Sequence, residues 1–200
     1  MMHAAKVRVR AVSFIPLNGL TRPTKFYTFD GLSRTDHFAI KVGDPSGIPL
    51  VRIHSECVTG DVFGSLRCDC GSQLKRALSK LDVDEGWILY LRQEGRGIGL
   101  AAKIDAYVLQ EDGLDTFSAN RVLGYSDDER DYSDAAQMLA VLGYSTIRLM
   151  SGNPEKAAAL RNAGIQVTEL VPCAGVGTPF NRAYLEAKEA RTCGDPARAF

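Results

Sequence analysis

The sequence predicts an α/β fold with a mixed sheet flanked by helices and a strand-rich portion at the N-terminal side. Two patterns support this prediction. From residue 73 to residue 171, short apolar runs of buried-strand type alternate with segments whose apolar residues recur at helical spacing. Before residue 55, the chain shows only strand-like runs separated by turn residues. We expect the 200 residues to form a single domain, because this length is typical of one.

The N-terminal portion predicts four strands, each rich in β-branched or aromatic residues. They cover residues 7–14, 26–29, 37–42 and 50–54. Loop and turn residues stand between them, for example Gly43-Asp44-Pro45-Ser46-Gly47. The last strand therefore leads directly into a segment that is dense in cysteine and charge.

The rest of the chain predicts helices and strands in turn. We expect helices over residues 73–81, 101–111, 133–142, 154–164 and 181–190, and strands over 87–91, 146–150 and 165–171. Ser133 is predicted to cap its helix. In the helix 101–111, Ile104, Val108 and Leu109 are predicted to form the apolar side. The tail, residues 189–200, is expected to fray.

Composition limits the classes of function. The formal net charge is +0 with 24% charged residues, which argues against a broad nucleic-acid or membrane surface. No apolar run is long enough to span a bilayer. The N-terminus lacks the apolar middle of a secretory signal, and the five cysteines do not form an even disulfide framework. We therefore expect a cytoplasmic protein, where thiolates stay reduced.

Three of the cysteines suggest a metal site. The spacing Cys57-x10-Cys68-x-Cys70 predicts three sulfur ligands for zinc, which favours thiolate and leaves one position for water in catalytic sites. In extended backbone, the sulfurs of Cys68 and Cys70 would point to the same side. Two alternatives stay open. His54 as a fourth ligand would make the site structural, and the three cysteines could instead be buried or redox-active without a metal.

A second motif follows the strand at 87–91. The loop Arg92-Gln93-Glu94-Gly95-Arg96-Gly97-Ile98-Gly99-Leu100 lies between a strand and a helix, an arrangement that suits phosphate because glycines expose backbone amides. A plain strand-to-helix turn is the alternative. Ser151 and Lys156, at the start of a later helix, could hold a phosphate or a purine edge. Tyr107 is either a packing residue or a site hydroxyl.

Together these segments resemble the GTP cyclohydrolase II family, from about His37 to Lys188. Residues 1–36 match that family poorly and form a divergent N-terminal segment. The motifs that carry the resemblance are 52–61 (RIHSECVTGD), 65–71 (SLRCDCG), 92–100 (RQEGRGIGL), Asp115-Thr116, Ala119-Asn120, 128–131 (DERD) and Asn153-Pro154-x-Lys156.

The resemblance implies a GTP cyclohydrolase II-like fold, a homodimer and a zinc-dependent enzyme that opens the imidazole ring of GTP. The expected products are formate, pyrophosphate and a diaminopyrimidinone ribosylamino 5′-phosphate, in the first step of riboflavin synthesis, with Mg²⁺ accompanying the triphosphate. The resemblance assigns Zn²⁺ to Cys57, Cys68 and Cys70, catalysis to Asp128, Arg130 and Tyr107, and GTP binding to Arg52, Ile53, His54, Ser55, Glu56, Gln73, Glu94, Gly95, Arg96, Thr116, Ser151 and Lys156.

Within this assignment Asp128 would accept a proton and Arg130 would act as nucleophile at the α-phosphorus. A guanidinium is almost always protonated, so we expect Arg130 mainly to stabilise phosphoryl charge. Two alternatives remain at this stage. One is a specialised paralogue that stops at the formamidopyrimidine nucleotide or serves another guanine-derived pathway. The other is an inactive guanine-nucleotide-binding zinc protein.

Overall fold

The structure, a computed structural model, describes residues 6–34, 36–182 and 184–186. Its strands are β1 (Arg8–Phe14), β2 (Thr24–Asp30), β3 (Phe38–Val42), β4 (Leu50–Ser55), β5 (Gly86–Leu91), β6 (Thr146–Met150) and β7 (Gln166–Val171). Its helices are α1 (Val58–Asp61), α2 (Cys70–Asp84), α3 (Leu100–Glu111), α4 (Thr116–Val122), α5 (Ser133–Val141) and α6 (Pro154–Asn162), with a 3₁₀ turn at Glu94–Gly97.

The chain divides into two compact units. The first comprises Met1–Ser55, Leu74–Arg92 and Asp131–Ala174. The second comprises Glu56–Gln73, Gln93–Arg130 and Gly175–Phe200. The expectation of a single domain stays a prediction.

The first unit contains a seven-stranded mixed sheet with the order β1-β2-β3-β5-β4-β6-β7. The pairs on the N-terminal side, β1–β2, β2–β3 and β3–β5, are antiparallel. The pairs β5–β4, β4–β6 and β6–β7 are parallel. Every predicted strand is present, so the predicted α/β class with a mixed sheet is confirmed.

Both faces of this sheet are covered at its central strand β5, which explains the nearly continuous apolar run of that strand. Trp87 and Leu89 belong to a core cluster with Leu139 of α5 and other residues of α5 and α6. Ile88, between them, belongs to a second cluster with Leu81 of α2. Alternate residues of a strand point to opposite faces, so a strand buried on both sides is apolar at every position.

Asp131, not Ser133, satisfies the first turn of α5. The N-cap residue is Tyr132, which makes no side-chain cap. The Asp131 carboxylate accepts hydrogen bonds from Ser133 N at 2.8 Å and from Ser133 Oγ at 2.7 Å. The prediction that Ser133 caps this helix is therefore wrong, because a carboxylate two residues earlier takes that place.

The second unit contains two helices that the sequence did not predict, α1 and α4. α1 has only four residues, too few to show a helical period. α4 begins after Asp115, whose carboxylate accepts hydrogen bonds from Phe117 N at 2.8 Å and Ser118 N at 3.1 Å. An acidic N-cap is a helix signal that periodicity alone does not detect.

The C-terminal prediction is tested only in part. Residue 181 lies in a turn, and residues 182 and 184–186 are helical, while residues 183 and 187–190 of the predicted helix and the tail 189–200 lie outside the described residues. Among the helices of the described part of the chain, none combines the length and the apolar character that crossing a bilayer demands.

Candidate functional site

The three predicted metal ligands come together in the second unit. The sulfur atoms of Cys57, Cys68 and Cys70 all lie within 4.8 Å of one another, and no other such group of metal-binding side chains occurs in the part of the chain that the structure describes. Cys57 is the N-cap of α1, Cys68 lies in a bend, and Cys70 is the first residue of α2. The extended backbone that we expected at Cys68 and Cys70 is wrong, because the start of α2 turns the chain there.

Short local contacts close the loop that carries these sulfurs. Asp61 N donates to Cys57 O at 2.7 Å, and the Asp61 carboxylate accepts from Cys57 N at 3.0 Å. Gly60 lies against the cluster: a Cβ there would stand 3.0 Å from Cys68 Sγ and 3.2 Å from Cys57 Sγ. Glycine at position 60 therefore leaves room for the sulfur atoms.

The electrostatics of the cluster fit a divalent cation. The pKa of Cys57 is lowered, chiefly because the thiols of Cys68 and Cys70 donate hydrogen bonds to its sulfur. The pKa values of Cys68 and Cys70 are raised, first because each thiol hydrogen bonds to the sulfur of Cys57 and also because of burial. Three thiolates this close repel one another, so a cation that binds thiolate, as zinc does, would resolve the repulsion.

A lysine that the sequence reasoning missed completes the surroundings of Cys57. Lys103 Nζ donates to Cys57 Sγ at 3.2 Å, to Thr59 Oγ1 at 2.8 Å and to Glu94 Oε1 at 2.8 Å. Burial alone would lower the pKa of Lys103, but Glu94 and the Cys57 thiolate outweigh it and raise that pKa above its ordinary value. The ammonium is therefore a permanent cation beside the sulfur cluster.

The position of Lys103 also corrects the predicted inner side of α3. The buried residues of this helix are Ala102, Lys103 and Ala106. Ile104 and Val108, predicted to be inward, are 44% and 54% exposed. The sequence did contain a signal for the true inner face: Ala102 and Ala106 are small residues four positions apart, on either side of Lys103 in the sequence.

Glu94 is buried, and both of its carboxylate oxygens are engaged. Oε2 accepts from Val58 N at 2.6 Å, and Oε1 accepts from Gly95 N at 2.9 Å in addition to Lys103. Val58 directly follows Cys57, one of the three predicted metal ligands. The carboxylate therefore ties the glycine-rich loop to residues 57–70, which carry the three predicted ligands and are called the metal loop.

Arg96, the next charged residue of that loop, has a left-handed backbone with φ of 62°. Its carbonyl accepts from Glu129 N at 2.9 Å. Its guanidinium lies over the ring of Phe117 at 5.0 Å and over that of Tyr184 at 5.5 Å. A non-glycine residue held in this conformation costs on the order of 1–3 kcal/mol, so the surrounding contacts must stabilise it.

Tyr107 is half-buried, in the same unit as the cysteines. The Arg67 guanidinium lies 4.2 Å from the centre of its ring, and Lys103 Nζ lies 5.8 Å from it. Burial raises the pKa of Tyr107. Its hydroxyl therefore stays protonated near neutral pH and can donate a hydrogen bond.

Asp128 and Arg130 form a tight ion pair. Arg130 Nε donates to Asp128 Oδ1 at 2.8 Å, Arg130 Nη2 donates to Asp128 Oδ2, and Arg130 N donates to Oδ1 at 3.1 Å. Burial alone would raise the pKa of Asp128, but the hydrogen bonds and charge of Arg130 lower it. In this arrangement the carboxylate is a weak base and the guanidinium keeps its proton.

The remaining predicted nucleotide contacts of the second unit have varied surroundings. Gln73 Nε2 donates to Asp69 Oδ2 at 2.6 Å. Thr116 is the first residue of α4, and Glu56 is half-buried. Gly95, like Arg96, has a left-handed backbone. Their assignment to GTP stays a prediction.

In the first unit, the other predicted GTP-binding residues lie in the second half and at the carboxyl end of β4, directly after its parallel neighbour β6, and in the first turn of α6, which follows β6. Lys156 Nζ donates to Ile53 O at 2.8 Å, and Arg52 Nη1 donates to Met150 O at 3.1 Å. Ser151 Oγ accepts from Asn153 N at 3.0 Å. Within this group fall Arg52, Ile53, His54, Ser55, Ser151 and Lys156. The carboxyl edge of parallel strands is where open α/β sheets bind ligands.

Comparison with known proteins gives consistent matches. The sequence model of the family GTP cyclohydrolase II matches residues 17–172. The riboflavin biosynthesis protein RibBA of Thermotoga maritima is 53% identical over 175 residues, covering 84% of this chain and 45% of that protein. The GTP cyclohydrolase-2 of Psychromonas ingrahamii is 48% identical over 180 residues, covering 88% of this chain and 90% of that protein. The chain thus spans less than half the length of the first relative and nearly all of the second.

Proposed function

The chain belongs to the GTP cyclohydrolase II family, and from this premise we propose that it is a zinc-dependent GTP cyclohydrolase II. It would open the guanine imidazole ring at C8, release formate and pyrophosphate, and give 2,5-diamino-6-(5-phosphoribosylamino)pyrimidin-4(3H)-one, the first step of riboflavin synthesis. The observation that carries this proposal is the cluster of three cysteines, two of them buried and Cys70 partly buried, in a chain whose matched region includes it.

Cys57, Cys68 and Cys70 would hold the zinc ion, because thiolate is its preferred ligand and three protein ligands leave a position open. Zinc bound there would supply a Lewis acid for the hydrolysis at C8. Tyr107 would contribute a protonated hydroxyl near the reacting ring, since burial keeps its pKa high.

Arg130 would stabilise phosphoryl charge as a cation rather than attack phosphorus, because its guanidinium is already engaged with a carboxylate. An incoming phosphate would compete with Asp128 for that guanidinium. Burial raises the pKa of Asp128, and the hydrogen bonds and charge of Arg130 outweigh that effect and lower it. Loss of Arg130 to the phosphate would therefore leave Asp128 free to accept a proton. Substrate binding would thereby activate the base.

The remaining GTP contacts are proposed from the family resemblance and from their surroundings. In the first unit these are Arg52, Ile53, His54, Ser55, Ser151 and Lys156, and in the second Glu56, Gln73, Gly95, Arg96 and Thr116. The resemblance also assigns Glu94 to GTP, but both oxygens of its carboxylate already accept hydrogen bonds from Val58, Gly95 and Lys103, so it is left out of the proposed contacts. Mg²⁺ would accompany the triphosphate, since it commonly binds substrate phosphates. A homodimer and a cytoplasmic location belong to the same proposal.

Product analysis tests the proposal. The zinc-loaded protein is incubated with GTP and Mg²⁺, and formate, pyrophosphate and the pyrimidine are quantified. Equal amounts of formate and pyrophosphate are expected. Ring-opened nucleotide without formate would contradict the complete reaction, and intact GTP would contradict the activity. Cys68→Ser is the matched control, because it should remove both the metal and the ring opening.

A further inference from the structure

The ammonium of Lys103 is fixed by its surroundings. An ammonium has three N–H donors, and here three acceptors lie within 3.2 Å: the Cys57 sulfur, the Thr59 hydroxyl and the Glu94 carboxylate. The lysine side chain is only 10% exposed. A buried cation with this degree of satisfaction has little freedom to turn away, so one N–H remains directed at the sulfur.

The carboxylate of Glu94 is fixed in the same way. Its two oxygens accept from the ammonium of Lys103 and from the backbone amides of Val58 and Gly95. The contact with Val58 holds the residue next to the ligand Cys57. Glu94 thus acts on the metal loop twice, once through the backbone and once through Lys103.

We propose that Lys103 and Glu94 are positioning residues for the metal centre: Lys103 holds the Cys57 sulfur by a charged hydrogen bond, and the Glu94 carboxylate orients Lys103 instead of contacting the nucleotide. This inference rests on the proposed zinc function. The pair is neutral as a whole, so its effect is that of a local dipole whose positive end faces the sulfur. Three thiolates would make a bound zinc ion a weak Lewis acid, because they give it much electron density. The dipole of the Lys103–Glu94 pair would draw electron density away from one of these thiolates.

The test is made on metal binding. Zinc affinity is measured by competition with a chelator at one fixed pH, for the wild type and for Lys103→Met, Lys103→Arg and Glu94→Gln. Loss of an outer partner of a metal ligand typically lowers metal affinity by about 10- to 100-fold, and this is the loss expected for Lys103→Met. Lys103→Arg, which keeps the charge, should retain more affinity. Lys80→Met is the control, because Lys80 is 46% exposed and pairs with Asp84.

A spectroscopic readout separates this role from a structural one. In the Co²⁺-substituted protein, loss of the charged hydrogen bond should raise the energy of the sulfur electrons. The sulfur-to-cobalt charge-transfer band of Lys103→Met should therefore shift to longer wavelength, whereas Lys80→Met should leave it unchanged. An unshifted band together with wild-type zinc affinity in Lys103→Met would overturn the proposal.

Glu94→Gln tests the claim that the Glu94 carboxylate orients Lys103. Because glutamine has the same shape as glutamate, this variant also replaces Lys103→Met if Lys103→Met does not fold. Its zinc affinity should fall, while its KM for GTP at saturating zinc should stay near that of the wild type. A raised KM with unchanged zinc affinity would place Glu94 on the nucleotide and refute the inference. A wild type that binds no zinc would instead refute the proposed function.

Discussion

Gly71, the second residue of α2, lies against the backbone of Gly60 in α1. A Cβ at this position would stand 2.9 Å from the carbonyl carbon of Gly60 and closer still to its oxygen, whereas ordinary contacts begin at 3.4 Å. The obstacle is backbone, which cannot rotate away as a side chain can. Gly71→Ala must therefore push apart the segments that carry Cys57 and Cys70.

Two effects of opposite sign decide the size of the change. Alanine in a helix is favoured over glycine by about 1 kcal/mol. Overpacking a well-filled site costs about 1–3 kcal/mol, and the rigid backbone places this case at the upper end, about 3 kcal/mol. The net loss is therefore about 2 kcal/mol. If it falls wholly on the geometry of the three sulfurs, zinc affinity drops by about 30-fold, since about 1.4 kcal/mol is a factor of ten.

The assay is chelator competition for zinc, with thermal unfolding measured with and without the metal. Gly177→Ala is the control in the same unit, because a Cβ there meets only Leu185 Cδ1 at 3.9 Å. We expect the unfolding temperature of Gly71→Ala to gain less from zinc than that of the control. A Gly71→Ala protein that is more stable than the wild type and binds zinc as tightly would show that helix propensity outweighs the close approach, and would refute the reasoning.

Three further predictions follow from buried or capping charges. Burial lowers the pKa of His37 in the folded state below 6.5. As the pH falls through 6.5, the unfolded chain therefore binds a proton that the folded protein excludes, and the free energy of unfolding decreases. Urea titrations should show that His37→Gln removes this part of the decrease, and identical pH profiles would contradict it. Asp115→Ala should cost about 1 kcal/mol by removing the cap of α4, and equal loss in Asp112→Ala, at the exposed end of α3, would show that capping is not the cause. Arg130→Lys should slow pyrophosphate release by about tenfold or more. The effect should stay below the roughly 100-fold loss that is typical when a transition-state donor is removed, because lysine keeps the charge. Unchanged release would refute the role of the guanidinium fork, and Arg121→Lys is the exposed control.

The fold could be predicted from the sequence wherever burial imposes a simple period. β5 was recognisable because both faces of the sheet are covered, which makes Trp87, Ile88 and Leu89 all apolar. α1 and α4 were not recognisable, because one turn or two cannot display a helical period. The order of the strands was beyond the sequence as well, since β5 inserts between β3 and β4 by contacts remote along the chain.

The grouping of the three cysteines could be predicted for a chemical reason, while their surroundings could not. Few residue types bind zinc, so type and spacing alone mark Cys57, Cys68 and Cys70 as candidate ligands, and their sulfur atoms do lie together. Lys103 resembles any other helix lysine, and it lies nine positions after Glu94, with a turn between them. No local period relates the two positions, so only the fold reveals that they meet.

This difference bears on how activity should be inferred from motifs. Cysteine ligands determine whether a metal binds, but the electron density that the sulfurs give to the ion depends on what hydrogen-bonds to them. In this protein that influence comes from Lys103, held by Thr59 and Glu94 at 2.8 Å each. A chain with all three cysteines but without the lysine would keep the zinc motif and lose the dipole beside it. The residue to inspect first in a relative that binds zinc without turnover is therefore the one at position 103.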